Sequence, residues 1–227
     1  MSSFVLPPAP TPSVPVAGEE TRFPVRRIFC VGRNYADHAR EMGHDPDREP
    51  PFFFTKPADA LLTGDADLPY PAATADLHFE GELVVALGAG GADLSPDQAT
   101  GLIWGHAAGN DLTRRDLQAQ AKAAGRPWDM AKGFDRSAVC GAIRRADGPM
   151  RRGRLTLSVN GQVRQDSDLS AMIWPVADII AHLSRLVTLA PGDLIYTGTP
   201  AGVGALRRGD VATVAIEGLE PVTTRVV

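Results

Sequence analysis

The sequence has few cysteines and no long apolar run, and each absence excludes a class of protein. Two cysteines, Cys30 and Cys140, are too few for a disulfide framework or a cysteine-based zinc site. Both lie among apolar neighbours, which indicates buried reduced thiols and a cytoplasmic protein. No apolar stretch approaches the roughly 20 residues that cross a bilayer. The N-terminus has neither the basic nor the apolar region of a secretory signal.

The sequence also has no concentration of positive charge. The net charge is −4, and the basic residues occur as isolated arginine pairs. This excludes the basic footprint of a nucleic-acid-binding protein. With 227 residues, of which 44% are hydrophobic and 22% charged, the chain can bury a substantial core. We therefore expect a globular protein that acts on a small molecule.

The domain organisation follows from the proline pattern. Five prolines lie between Pro7 and Pro15, which favours an extended arm over a helix. We predict that residues 1–20 form a Pro-rich N-terminal arm and that residues 21–227 form a single catalytic domain. No internal repeat is visible.

Short strands outnumber helices in the expected secondary structure. Strands are predicted at 27–32, 51–56 and 77–87, and Asn160-Gly161 predicts a type I′ hairpin. Helices are predicted at 34–43, after Ser95 through a capping box, at 112–125 and at 175–189. No strand–helix–strand repeat with a GxGxxG turn occurs, which argues against a nucleotide-binding parallel sheet. The pattern indicates a β-rich α+β fold with peripheral helices.

Two acidic residues stand out in the segment HFEGELVVAL. Glu80 and Glu82 are two apart in a predicted strand, so their carboxylates leave the same face. Such a pair is unfavourable unless a cation lies between them, and oxygen ligands suit Mg²⁺, Mn²⁺ or Ca²⁺. Asp111, expected at the start of a helix, is the best candidate for a third ligand. A solvated strand face paired with arginines is the alternative that spacing alone leaves open.

Six segments of the sequence, in order, resemble motifs of the fumarylacetoacetate hydrolase family. They are VGRNYADHAREMG, PFFFTKPADAL, HFEGELVVALG, NDLTRRDLQ, GRPWDMAKGFD and GDLIYTGTPAGVG. The resemblance spans Arg27 to about Gly218 and is strongest to the acylpyruvate and fumarylpyruvate hydrolase branch. It implies the family's mixed β-sandwich roll with peripheral helices. It also implies that Glu80, Glu82 and Asp111 bind Mg²⁺ or Mn²⁺, with Ca²⁺ as a substitute in a crystal.

The resemblance assigns the catalytic groups. The family's His–Glu pair corresponds to His38 and Glu41, which are i and i+3 on a predicted helix and so share a face. We expect His38 to activate the attacking water while Glu41 orients it. The family's lysine corresponds to Lys132, which would place positive charge near the substrate oxygens. Without the resemblance, the DHARE helix would be interpreted as a solvated charged surface and Lys132 as an ordinary surface lysine.

The substrate-binding residues come partly from the resemblance and partly from local geometry. The family's turn threonine corresponds to Thr199, and the Gly198-Thr199 turn can receive a carboxylate; a simple hairpin turn is the alternative. Arg115 and Gln118 are i and i+3 on a predicted helix, so Arg115 is expected to face the cleft. Arg33 and Tyr35 are near enough in sequence to line the same pocket.

The resulting hypothesis is hydrolysis of a 2,4-dioxo acid, with fumarylpyruvate of gentisate-type catabolism as the expected substrate. Oxaloacetate decarboxylation or tautomerisation is a second hypothesis, and a catalytically silent metal-binding protein is a third. The resemblance also implies a homodimer. The polar, Pro-containing segment at 37–50, with Gly43 as a hinge, is expected to form a lid.

Overall fold

The computed structural model describes residues 4–41, 50–64, 66–146 and 148–227, with the backbone alone for residues 39–41. The strands of this part of the chain are β1 (Ser13–Pro15), β2 (Arg22–Pro24), β3 (Arg27–Gly32), β4 (Phe52–Lys56), β5 (Leu61–Thr63), β6 (Asp67–Leu68), β7 (Leu77–Phe79), β8 (Gly81–Leu87), β9 (Ile103–Asp111), β10 (Thr113–Arg114), β11 (Ala138–Cys140), β12 (Arg144–Arg145), β13 (Arg154–Val159), β14 (Gln162–Asp168), β15 (Asp193–Tyr196), β16 (Gly204–Leu206), β17 (Val211–Ile216) and β18 (Val222–Val226). The helices are α1 (Ala36–Glu41), α2 (Pro96–Thr100), α3 (Arg115–Ala123), α4 (Asp129–Lys132) and α5 (Val176–Leu186). The predicted strand-rich α+β class is confirmed.

The strands form a large mixed sheet and smaller sheets packed against it. Among the described residues, the large sheet has the order β4-β3-β15-β8-β9-β11-β5, with β12 beside β9. A second sheet has the order β14-β13-β17-β18-β6, and a third has the order β10-β7-β16. The pairs β3–β15 and β5–β11 are parallel, while β8 runs antiparallel to both β9 and β15. The result is a curled sandwich in which β8 is a central strand.

The strand β8 is buried on both faces, which explains its continuous apolar run. Leu83 and Val85 belong to the larger core cluster, which includes Leu155 of β13 and Ile180 of α5. Val84, between them, points the other way into a second cluster. Because side chains alternate along a strand, one strand supplies both cores. Its position is therefore fixed from two sides.

The second cluster also holds part of the proline-rich segment. Val14 and Val16 are buried there, and β1 pairs with β2 in antiparallel register. Phe4, Val5 and Leu6 are exposed. The boundary between an arm and a catalytic domain stays a prediction. In the described part of the chain, no helix combines the length and apolar character needed to cross a membrane.

Two local predictions are confirmed by backbone and side-chain geometry. Ser95 caps α2 in a capping box with Gln98, in which each side chain accepts a hydrogen bond from the other residue's amide. Asn160 and Gly161 have φ of 52° and 79°, as the type I′ turn between β13 and β14 requires. Cys30 and Cys140 are buried free thiols, as expected.

The sheet topology brings distant segments to one edge. Since β8 is antiparallel to β9 and β15, its first residues lie beside the last residues of both. The parallel pairing of β3 with β15 places the end of β3 at the same edge. Residues 31–33, 80–82, 110–111 and 197–199 therefore meet there.

Candidate active site

Three buried carboxylates converge at this edge. Glu80 precedes β8, Glu82 is its second residue, and Asp111 is the last residue of β9. The amide of Asp111 donates to the carbonyl of Glu80 at 2.8 Å, which locks the two strand ends together. One oxygen from each of the three carboxylates lies within 4.8 Å of the others. The structure thus brings together the three metal ligands expected from the sequence.

Two local expectations about this cluster are wrong. Residues 77–87 do not form one strand, because β7 ends at Phe79 and β8 begins at Gly81. At the break, the Glu80 amide bonds the side-chain oxygen of Asn110 at 2.9 Å. Asp111 does not begin a helix, because its pairing with Ala138 of β11 holds it extended. The helix α3 starts only at Arg115.

Two buried lysines contact Asp111 from opposite sides. Lys132 Nζ lies 2.7 Å from Glu80 Oε2 and 2.9 Å from Asp111 Oδ2, so it bridges two of the carboxylates. Lys56 Nζ lies 2.8 Å from Asp111 Oδ1 and donates to the carbonyls of Leu112 and Lys132. Both ammonium groups are shielded from solvent. Each is therefore in a setting where its attraction to Asp111 is strong.

The helix α3 supplies a third cation to the cluster. Arg115 Nη2 lies 2.5 Å from Glu80 Oε1, and its Nη1 donates to Gln118 Oε1 at 2.6 Å. Arg115 and Gln118 therefore share one face of α3, as their spacing predicts. His78 approaches the same guanidinium, with 3.4 Å between Arg115 Nε and His78 Nδ1. Arg115 is thus held by three contacts next to a metal-ligand candidate.

The three carboxylates differ in their electrostatic surroundings. Burial alone would raise the pKa of Glu80. The positive charges of Lys132 and Arg115 have the larger combined effect, so the pKa of Glu80 lies well below its ordinary value. Burial, Asp111 and Glu80 together raise the pKa of Glu82 well above its ordinary value. Glu82 accepts a hydrogen bond from the Gly198 amide at 2.7 Å. Glu82 is therefore the carboxylate whose ionised form most needs another cation.

The residues present fit a divalent metal. The donor set consists of buried carboxylate oxygens, which suits Mg²⁺, Mn²⁺ or Ca²⁺. The negative charges of Asp111 and Glu80 oppose the ionised form of Glu82. A cation bound among the three acids would offset this repulsion. Glu80, Glu82 and Asp111 are the residues that would hold it.

A cavity of about 430 Å³, counted with its open mouth, lies over Glu80 and Glu82. Its wall brings together most of the expected substrate-binding and catalytic side chains and adds aromatic ones. The lining residues are Val31, Gly32, Arg33, His38, Phe52, Phe54, Glu80, Glu82, Arg115, Gln118, Lys122, Trp128, Lys132 and Thr199. Cations and aromatic rings therefore surround the acidic floor.

Thr199 is fixed by hydrogen bonds within the turn after β15. Its hydroxyl donates to the Gly81 carbonyl at 2.9 Å and accepts from Gln165 Nε2 at 2.8 Å. Gly198 has φ of 96°, a conformation that favours glycine. Its amide is directed at Glu82 Oε2, so here it positions a carboxylate of the protein. Binding of a substrate carboxylate by the Gly198-Thr199 turn stays a prediction.

Tyr35 does not line the cavity, and two further expectations fall on residues that the structure does not describe. Tyr35 is buried in the larger core cluster, and its hydroxyl has no hydrogen-bond partner among the described residues. Burial and the negative charge of Glu82 raise the pKa of this hydroxyl. The side chain of Glu41 lies outside the described residues, so its pairing with His38 stays a prediction. The expected lid lies largely in 42–49, which are also outside them.

Several site residues were missed from the sequence. Lys56 and Lys122 carried no local signal, since a single lysine in a strand or helix is ordinarily exposed. Phe52, Phe54 and Trp128 also line the cavity. Trp128 packs edge-on against both phenylalanines, with ring centroids 5.3 and 5.9 Å away. The PFFF and PW segments follow no spacing rule that could have located these residues.

Solved and characterised proteins resemble this chain over most of its length. A crystal structure of fumarylpyruvate hydrolase from Pseudomonas aeruginosa in complex with Mn²⁺ and pyruvate superposes with a TM-score of 0.97, at 48% identity and 99% coverage of both chains. A fumarylpyruvate hydrolase from a Ralstonia species is 45% identical over 188 residues, which are 82% of this chain and 98% of that protein. Oxaloacetate tautomerase YcgM of Escherichia coli strain K12 is 41% identical over 207 residues, with 90% and 94% coverage.

The family model for the fumarylacetoacetate hydrolase C-terminal region matches residues 27–227. This range contains the three carboxylates, both buried lysines and the whole cavity wall. The resemblance inferred from six motifs is thereby confirmed, and the chain belongs to the fumarylacetoacetate hydrolase family.

Proposed function

We propose that this protein is a divalent-metal-dependent hydrolase that converts fumarylpyruvate and water to fumarate and pyruvate. The observation that carries the proposal is the bridge from Lys132 to Glu80 and Asp111 on the floor of the cavity. It joins a cation-binding cluster to a wall that contains His38, Arg33 and Arg115. The names of two relatives at 45% and 48% identity support the choice of substrate.

The reaction breaks the bond between the methylene carbon and the distal carbonyl carbon. The hydroxyl of water is added to the acyl carbon, and a proton is added to the carbon that becomes the methyl group of pyruvate. The difficult part is the negative charge that develops on the departing enolate. A bound Mg²⁺ or Mn²⁺ would act as a Lewis acid toward that charge.

The residues of the chain would perform the remaining tasks. His38 is buried in the cavity wall, where it would take a proton from the attacking water. Glu41 would orient His38. Lys132 keeps Glu80 ionised and places a cation beside the reacting oxygens. Thr199 would hold the pyruvyl carboxylate once its hydroxyl turns away from the Gly81 carbonyl.

The aromatic wall would keep the site dry around the acyl group. Phe52, Phe54 and Trp128 offer flat apolar surfaces, which suit the planar conjugated chain of fumarylpyruvate. A drier cavity strengthens each electrostatic contact on its floor. Arg33, Arg115 and Gln118 are proposed as further substrate-binding residues, whereas Tyr35 would support the site from the core behind it.

Oxaloacetate tautomerisation or decarboxylation is the second candidate. It is favoured by the 41% identity to an oxaloacetate tautomerase. These reactions would use the same cation and the same enolate stabilisation, but they need no attacking water. A catalytically silent metal-binding protein is the third candidate.

The direct test is an assay of purified, Mn²⁺-loaded protein with fumarylpyruvate, acetylpyruvate and oxaloacetate. We expect the highest kcat/KM with fumarylpyruvate and measurable turnover of acetylpyruvate. A higher kcat/KM for oxaloacetate would favour the second candidate. Lack of turnover of all three, with metal bound at one ion per chain, would favour the third.

His38→Ala separates hydrolysis from enolate chemistry. If His38 activates water, kcat for fumarylpyruvate should fall by about 10²- to 10⁴-fold. Turnover of oxaloacetate, where no water attacks, should fall much less. His182→Ala is the matched control, because His182 lies on α5 and packs against Trp174 away from the cavity wall. Full hydrolytic activity of metal-loaded His38→Ala would eliminate this role.

We further propose a cytoplasmic homodimer that acts in gentisate-type aromatic catabolism. The exposed apolar side chains of Phe4, Val5 and Leu6 support an arm that is covered in an assembly. Light scattering after size-exclusion chromatography should give twice the chain mass of 24.1 kDa. A single-chain mass at micromolar concentration would contradict the dimer.

A further inference from the structure

The outer end of the active-site cavity carries positive charge from α3. Arg115, Gln118 and Lys122 are spaced by three and four residues, so they lie on one face of the helix. All three line the cavity. Arg115 and Gln118 are engaged with each other and with Glu80. Lys122, one turn further along, is therefore the next polar group that a ligand would meet.

Lys122 differs from the other lysines of the site in its partners. Lys132 and Lys56 are both paired with Asp111. Among the described residues, no carboxylate lies within ion-pair distance of Lys122, and the acidic lining residues, Glu80 and Glu82, are on the cavity floor. The charge of Lys122 at this end is thus not neutralised by the described chain.

Neighbouring cations reinforce the positive potential at this end. Burial, and then the charges of Arg33 and Arg115, lower the pKa of Lys122. Arg33 reaches the cavity from a left-handed backbone conformation, with φ of 58°, and its guanidinium lies 5.0 Å from the centre of the Phe52 ring. The charges of Lys122 and Arg33 therefore act on each other at this end of the cavity. An anion placed between them would relieve their mutual repulsion.

The distances suit a substrate with two carboxylates. From Arg115 to Lys122, α3 rises about 10 Å at 1.5 Å per residue. Arg115 touches Glu80, so the start of this span lies at the proposed metal ligands. In fumarylpyruvate the distal carboxylate is five extended bonds, or about 6 Å, from the keto carbon next to the pyruvyl carboxylate. The flexible Lys122 side chain can cover the difference.

We propose that Lys122, assisted by Arg33, binds a terminal carboxylate on the acyl group and selects acylpyruvates that end in a second carboxylate. This inference rests on the proposed acylpyruvate hydrolysis and adds the residue that chooses among acyl groups. The aromatic side chains Phe52, Phe54 and Trp128 would hold the carbon chain between the two ends. The alternative is that Lys122 only stabilises the C-terminal turn of α3, where it is the basic residue of the last turn.

The test uses two substrates that differ only at the far end. They are fumarylpyruvate and crotonylpyruvate, in which a methyl group replaces the terminal carboxylate. In Lys122→Gln, we expect KM for fumarylpyruvate to rise about tenfold, which is about 1.4 kcal/mol. KM for crotonylpyruvate and kcat for both should stay within about twofold. Lys122→Arg should keep most of the affinity for fumarylpyruvate, because the positive charge remains.

Arg185→Gln is the matched control, because it removes one exposed cation from the last turn of α5. It should leave both KM values unchanged, so a tenfold effect cannot be a consequence of net charge. Equal changes for both substrates in Lys122→Gln, or no change for either, would overturn the inference.

The failure of the proposed function is distinguishable from the failure of this inference. If the wild-type protein hydrolyses neither compound, the proposed hydrolysis is refuted. Calorimetric affinities of the Mn²⁺-loaded protein for the same two compounds then decide the inference. Tenfold weaker binding of fumarylpyruvate alone in Lys122→Gln supports the carboxylate subsite, and equal affinities in variant and wild type overturn it.

Discussion

At the scale of single residues, Lys56 has the most constrained position of the site. It is 1% exposed, and its ammonium group contacts Asp111 and two backbone carbonyls. A buried ammonium is costly unless it is paired and fully hydrogen-bonded. These contacts join β4 to the end of β9 and the end of α4, so one side chain links a metal-ligand candidate to the segment that carries Lys132.

Lys56→Met should destabilise the metal-free protein by about 3 to 5 kcal/mol, because it leaves Asp111 with one fewer cation. With saturating Mn²⁺ the loss should be smaller, since the bound cation supplies positive charge to the same carboxylate. Urea denaturation with and without Mn²⁺ measures both values. Lys122→Met is the matched control, because an exposed lysine should change stability by less than about 0.5 kcal/mol. A loss below 1 kcal/mol for Lys56→Met would show that its contacts are not structural.

At the scale of secondary-structure elements, the packing of β8 against β9 and β15 sets the distances within the acidic cluster. Gly109 of β9 is opposite Glu82 in the ladder. A Cβ at Gly109 would lie 2.4 Å from Val84 Cγ2, 2.9 Å from Tyr196 Cε1 and 3.0 Å from the Val139 carbonyl oxygen. The strands can approach this closely only because the residue is glycine.

Gly109→Ala should destabilise the protein by about 1 to 3 kcal/mol through overpacking. It should also weaken Mn²⁺ binding, because β8 and β9 must move apart where they carry Glu82 and Asp111. Denaturant melts and metal titration measure the two effects. Gly101→Ala is the control: Gly101 ends α2 in right-handed helical conformation, and its added Cβ would meet no atom closer than 3.4 Å. Wild-type stability of Gly109→Ala would mean that the strands have room to adjust.

The elements that the sequence predicts well are those defined by local interactions. The capping box at Ser95 and the Asn160-Gly161 turn depend on residues within three or four positions, and both are confirmed. The break at Glu80 and the extended Asp111 depend on contacts with residues 30 and 27 positions away, which no local pattern reports. The three acids were found because the family motifs supplied the long-range information. Lys56 and Lys122 were missed because their importance comes from residues distant in the sequence: Lys56 pairs with Asp111, and Lys122 lines the cavity.

At the scale of the whole molecule, a bound cation should link the metal site to global stability. A cation present at 100 times its Kd stabilises the folded state by about 2.7 kcal/mol. For a chain of this length, that corresponds to a rise in Tm of roughly 5 to 10 °C. Mn²⁺ or Mg²⁺ should therefore raise Tm in a calorimetric scan, and chelation should reverse the rise.

Glu82→Gln provides the control for metal stabilisation. It removes a ligand and also the carboxylate whose ionisation is opposed by Asp111 and Glu80. The variant should be at least as stable as the wild type without metal, and Mn²⁺ should leave its Tm nearly unchanged. An equal Mn²⁺-induced rise in both proteins would place the cation elsewhere.

Global stability should also depend on pH through a histidine outside the active site. His106 on β9 is 1% exposed, and burial lowers its pKa from 6.5 to about 4. Between these values the unfolded chain binds a proton that the folded chain does not, so stability is complete above pH 6.5 and declines as the pH falls toward 4. For this residue the loss should be about 2 kcal/mol at pH 5.

His106→Gln lacks the ionisable group but retains an acceptor that can replace His106 Nε2, which accepts from the Met150 amide. We expect metal-free wild type to lose about 2 kcal/mol more than His106→Gln when unfolding free energies are compared at pH 7.5 and pH 5. Any packing defect of the variant is present at both pH values and cancels, so equal losses would mean that His106 is protonated in the folded protein.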